Sequence, residues 1–218
     1  MFTKKINIMK TYLEHLKSIS FKSNTLPVHR SSAIFPILCN KEIDCKVQFL
    51  SYWFIKKKIF EIGCTYTFRD KDGRIIFNES ILINVTKAFE LSCKKILKTK
   101  DFLGSIELEF FSSRNLVFPY PAVIINFNSY KSSNYVHTCG RIYNNFEDKS
   151  VNNRFLVSES RFDIIPSNKY NPFFSFVNGN QEIKKTQINI IFINHKGKNL
   201  KKKIICNKIK PYETKFIF

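Results

Sequence analysis

Glycine is scarce in this chain, with 6 residues in 218. Nowhere do the glycines gather into a loop able to cradle a phosphate, which removes the P-loop and dinucleotide-binding readings. The six cysteines, Cys39, Cys45, Cys64, Cys93, Cys139 and Cys206, contain no CxxC pair, and their spacings fit neither a zinc site nor a dithiol redox motif. His15, His29, His137 and His195 are scattered, so no metal and no other cofactor is expected. No apolar run reaches membrane-spanning length, and the first residues lack the hydrophobic segment of a secretion signal. Free thiols without such a signal point to a reducing, cytoplasmic setting. Acidic residues are also few: 17 against 36 Lys and Arg, a formal net charge of +19 and a pI near 9.7.

What is present suffices for a folded protein. Hydrophobic residues make up 44% and aromatics 15% of the chain, well outside a disordered composition. The length allows one large domain or two small ones. The positive charge permits nucleic acid, anionic lipid or acidic glycans as partners. Lys outnumbers Arg, however, and Asn, Ile and Phe are abundant too, the bias of an AT-rich coding sequence. The longest basic runs, 56–58 and 201–203, read as solvated turns or strand ends rather than a phosphate track.

Along the chain, Ile6, Met9, Leu13 and Leu16 recur at three- and four-residue spacing, which predicts one amphipathic helix over 4–20. Residues 21–33 read as a linker, so 1–33 form an N-terminal helix and connection. From residue 34 the period changes to that of strands. The segment 34–39 is a short apolar strand broken by Pro36, and 47–55 is a longer aromatic strand holding Trp53, expected to be buried. Cys64, Tyr66 and Phe68 alternate with small polar residues, and Asp70, Lys71, Asp72 and Gly73 signal a hairpin turn. Further strands are expected at 81–85 and 89–93. Ile106, Leu108 and Phe110 alternate with Glu107 and Glu109, the pattern of a half-buried strand. Pro119 and Pro121 then mark a sheet edge or bend before the apolar run 122–127. Many short strands with turns between them predict an all-β fold, a sandwich rather than a parallel sheet.

An internal repeat extends this reading. Cys64, Tyr66, Phe68 and Gly73 match Ile188, Ile190, Phe192 and Gly197; after a one-residue gap, residues 81–84 match 204–207; Lys87, Phe89 and Glu90 match Lys210, Tyr212 and Glu213. The expectation is tandem immunoglobulin-like or jelly-roll-type β-sandwich units with a short N-terminal amphipathic helix: a first domain over 34–150 and a second, incomplete unit over 151–218. An incomplete sandwich exposes apolar faces and open strand edges, so self-association through the C-terminal unit is expected, or completion by a further segment.

The densest group of chemically capable side chains is 135–148. His137, Arg141, Tyr143, Glu147 and Asp148 fall there without repeat partners, and with Arg161 they form the candidate ligand site. If the backbone were extended, His137, Cys139 and Arg141 would share one face. Tyr120, Tyr130, Tyr135 and Tyr143 lie near enough to stack on a sugar ring or contact a protein. The expected function is a non-catalytic binding or interaction protein for a glycan or a protein partner. Two alternatives remain: an enzyme using His137 as general base, oriented by Glu147 or Asp148, and a basic nucleic-acid-binding protein.

Overall fold

A computed structural model of the chain describes residues 27–99, 101–137, 140–143, 173–193 and 196–217. The expected helix at 4–20 lies outside them. Strands account for most of the described chain, and every strand pair is antiparallel.

Eight strands build the main body: β1 (Arg30–Cys39), β2 (Ile43–Leu50), β3 (Gly63–Asp70), β4 (Ile75–Leu82), β5 (Ala88–Ser92), β6 (Phe102–Phe111), β7 (Val123–Ser129) and β8 (Ser133–His137). They form two four-stranded sheets, ordered β1-β6-β3-β4 and β5-β2-β7-β8. Alternate residues of both sheets enter one shared core. Ala33, Phe35 and Ile37 of β1, Phe68 of β3 and Ile106 and Leu108 of β6 meet Cys45 and Val47 of β2 and Val123 and Ile125 of β7. Each fully buried large side chain contributes about 1.5–3 kcal/mol of transfer free energy, which makes this sandwich-like packing the main source of stability.

The chain changes sheet at most connections. Between β1 and β2, Asn40 Oδ1 accepts the amides of Glu42 and Ile43 at 2.9 and 2.8 Å and so closes a tight reversal. Between β3 and β4, Asp70 Oδ1 accepts the amides of Asp72 and Arg74, and Gly73 adopts φ +87°, as the hairpin signal required.

Two short helices replace parts of expected strands. Helix α1 (Tyr52–Lys57) follows β2, and α2 (Cys93–Leu97) follows β5. The run 47–55 is therefore strand only as far as Leu50, and Trp53 sits on a helix. It is still 4% exposed, and its Nε1 donates to Leu116 O at 2.7 Å. Ser92 Oγ accepts the Lys95 amide at the start of α2, and each helix stops at a lysine in the left-handed region, Lys58 and Lys98.

β1 begins at Arg30, four residues earlier than the apolar pattern indicated, and it runs straight through Pro36. It is an edge strand. Its outward amides at Ser32 and Ile34 donate to Pro119 O and Gly140 O, both at 3.0 Å. The next position facing that way is Pro36, which has no amide to leave unpaired.

Residues 173–217 hold the remaining four strands. β9 (Phe174–Val177) pairs with β12 (Thr214–Ile217), and β10 (Thr186–Ile193) pairs with β11 (Asn199–Cys206), giving two separate two-stranded sheets. Gly197 in the β10–β11 turn has φ +77°, like Gly73 in the β3–β4 turn.

Candidate functional site

The open edge of β1 holds two segments side by side. Pro119, from the loop between β6 and β7, is bonded at Ser32, and Gly140 is bonded at Ile34. This brings Tyr120 next to Arg141. The Arg141 guanidinium lies 5.7 Å from the Tyr120 ring centre and 5.0 Å from that of Tyr143. Its Nε donates to Ser32 Oγ at 3.1 Å, and an Nη reaches Arg30 O at 3.5 Å. Ile142 between them is buried, which pins the segment to the sheet, and Tyr143 O accepts Asn180 Nδ2 at 3.2 Å. The result is an arginine held between two partly exposed tyrosine rings. Phe118 and Val117 extend the exposed apolar surface along the same loop, with Lys57 over the Phe118 ring.

Beneath this surface lies a buried charge network. Glu107 sits on the face of β6 turned away from the core, where the alternation pattern indicated a solvated residue. It is instead 3% exposed. Its Oε1 accepts from Arg30 at 3.1 Å and its Oε2 from Arg69 at 2.8 Å. Arg30 also binds Glu109 at 2.7 Å and donates to Ile142 O at 2.9 Å. Arg69 in turn lies 4.3 Å from the Tyr212 ring centre. Burial pushes the Glu107 carboxyl above its ordinary range, and neighbouring Glu109 adds to this, while Arg69 and Arg30 pull it down. Burial likewise raises the Tyr212 hydroxyl. Arg30 thus ties the buried network to the backbone that carries Arg141.

The expected site residues separate in space. Arg141 and Tyr143 come together on the first sheet, with Tyr120. His137 is the last residue of β8, exposed and opposite Ile124 at the edge of the second sheet. Arg141 is instead placed beside the first sheet, where the preceding Gly140 O accepts the Ile34 amide of β1. Glu147, Asp148 and Arg161, like Cys139, lie outside the described residues.

A thiol cluster occupies one end of the core. Cys39 ends β1, Cys45 lies in β2 and Cys93 opens α2. Cys45 Sγ donates to Leu38 O at 2.9 Å. The neighbouring Cys45 and Cys93 pull the Cys39 thiol below its ordinary range, while Cys39 and burial push Cys45 and Cys93 upward. Among the described residues, no group of three or more His, Cys, Asp and Glu side chains is arranged to hold a metal ion, and no helix is long and apolar enough to cross a membrane.

Sequence reasoning missed Arg30, Arg69, Glu107 and Tyr212 as a unit. The available signal was Glu107 and Glu109 alternating in one strand with arginines elsewhere in the first domain. Comparison with protein-family models, curated proteins and solved structures found no match to this chain.

Proposed function

We propose that this is a non-catalytic interaction protein that binds a protein partner through Tyr120, Arg141 and Tyr143. The observation that carries the reading is the fixed arginine between two partly exposed tyrosine rings. Tyrosine and arginine dominate the energetics of protein interfaces. Here the arginine is already anchored to β1 through Ser32 and Arg30, so a partner would meet a surface whose ordering cost is largely met before binding. Phe118 and Val117 beside it supply apolar area that water leaves on contact. We read the β9–β12 segment as a second, reduced copy of the sandwich unit, and the setting as cytoplasmic.

The test is site-specific photo-crosslinking in cell extract. A benzophenone side chain at position 143 is expected to capture a discrete protein, and one at exposed Ile76, on the opposite edge strand of the same sheet, is expected to capture none. Arg141→Ala is expected to abolish the product at 143. Identical products from both positions would reject the reading. So would a Tyr143-dependent signal on a glycan array without any protein crosslink, which would make the ligand a sugar.

A further inference from the structure

The ribbon β10–β11 has two unlike faces and one open edge. Its register sets Ile188 opposite Ile204, Ile190 opposite Lys202 and Phe192 opposite Leu200. These make a largely apolar face, with Phe192 42% and Leu200 68% exposed. On the other face, Gln187, Asn189, Ile191, Lys201 and Lys203 line a shallow hollow of about 280 Å³. β11 occupies one edge of β10, and among the described residues no strand lies along the other. An isolated two-stranded ribbon is marginal in water, and an open edge is a template for another strand.

The chain itself shows what such an edge takes. The hairpin β3–β4 matches β10–β11 in sequence, from Cys64, Tyr66 and Phe68 to Gly73. There the second edge of β3 is filled by β6, antiparallel, with Glu109 opposite Thr65, Leu108 opposite Tyr66, Glu107 opposite Thr67 and Ile106 opposite Phe68. By the sequence match these β3 positions correspond to Asn189, Ile190, Ile191 and Phe192. A strand with the alternation of β6 would therefore set its carboxylates on the face that carries Lys201 and Lys203. Its apolar side chains would fall on the face of Ile190 and Phe192.

We propose that the free edge of β10 binds an extended segment of a partner protein in which acidic and apolar residues alternate, added antiparallel as a third strand. Charge selects this occupant over a second copy of the chain. Another β10 at that edge would bring no carboxylate to offset Lys201 and Lys203, and each chain carries a net +19. The β6 strand of a second copy is already paired on both sides, by β1 and β3. The Tyr120–Arg141–Tyr143 surface lies elsewhere, so this inference stands or falls separately from it.

The probe is a synthetic peptide with the sequence of residues 103–110, read by binding and by amide hydrogen exchange on the full 218-residue chain. The peptide is expected to bind, to weaken with added salt, and to slow exchange of amides 187–193. The same peptide with both glutamates changed to lysine is expected not to bind. Lys201→Glu with Lys203→Glu in the protein is expected to weaken binding about tenfold, as two exposed attractions become repulsions. Equal binding of the two peptides overturns the proposal, as does protection confined to β1 or β3, which would mean exchange into the first hairpin. Protection of 187–193 that rises with protein concentration in the absence of peptide also overturns it, since a second copy would then be the occupant.

Discussion

Each oxygen of Glu107 meets its own arginine, Oε1 with Arg30 and Oε2 with Arg69, and all three side chains are nearly enclosed. Removing the carboxylate leaves buried Arg69 without the carboxylate it binds and Arg30 with Glu109 alone, and breaking a buried pair this way costs about 3–5 kcal/mol. Glu107→Ala is expected to lower the urea midpoint accordingly. Glu182→Ala, which breaks the exposed pair with Lys208, is expected to leave the midpoint unmoved. Replacing Arg30, Glu107 and Arg69 together by apolar residues of similar volume is expected to recover much of the loss, because the one charge of the network that remains, Glu109, is partly exposed. A Glu107→Ala midpoint equal to that of the unmodified protein would show that water reaches the network. Trp53 gives a second test at this scale. Trp53→Phe keeps most of the packing but removes the 2.7 Å bond to Leu116 O, which still accepts the Phe118 amide at 2.8 Å, a loss of about 0.5–1.5 kcal/mol. Emission of the unmodified protein is expected to move to longer wavelength on unfolding.

Gly73, between β3 and β4, and Gly197, between β10 and β11, have similar positive φ, yet their surroundings differ. A Cβ at Gly73 would stand 2.4 Å from Pro211 O and 2.9 Å from the Tyr212 carbonyl carbon, whereas a Cβ at Gly197 would meet nothing within 4 Å. Gly197→Ala is expected to cost only the backbone strain of a left-handed alanine, about 1 kcal/mol. Gly73→Ala is expected to cost clearly more and to loosen residues 209–217 from the β3–β4 turn, which urea titration with limited proteolysis would show. The Gly73 turn was legible in the sequence because Asp70, Asp72 and Gly73 are local turn chemistry. The strands β3 and β6 were legible because their alternation is unbroken. Helix α1 was not, since the apolar run 47–55 satisfies either period and only the capping and burial of Trp53 decide it. Arg141 and Tyr143 could be singled out by their concentration. Their alignment with Tyr120 could not, because it depends on two distant segments sharing the edge of β1.

At the scale of the whole molecule, residues 209–217 belong with the sandwich while the ribbon between β9 and β12 projects from it. Thr214 N donates to Lys71 O at 3.0 Å, Lys210 Nζ meets Asp72 at 3.1 Å, and Tyr212 stacks against Arg69. Among the described residues, the ribbon's side chains are largely exposed and its strands pair with each other and with no other strand. Opening free energies should follow this difference in buried contact. In native-state hydrogen exchange, amides of β1, β3 and β6 are expected to exchange slowest, near the global unfolding limit. Those of β9 and β12 should be intermediate, and those of β10 and β11 fastest. Tyr212→Ala removes the contact with Arg69 and is expected to move β9 and β12 toward the ribbon's rates without altering β3 or β6. Acid should act in the same direction at the Lys210–Asp72 contact. Lys210 holds the Asp72 carboxyl below its ordinary range, so the attraction is fully present above the unfolded aspartate value of about 3.9 and fades as pH falls through the lowered one. If β10 and β11 exchanged as slowly as β6 in the isolated chain, the ribbon would already be covered, and neither the projecting ribbon nor its open edge would describe the protein in solution.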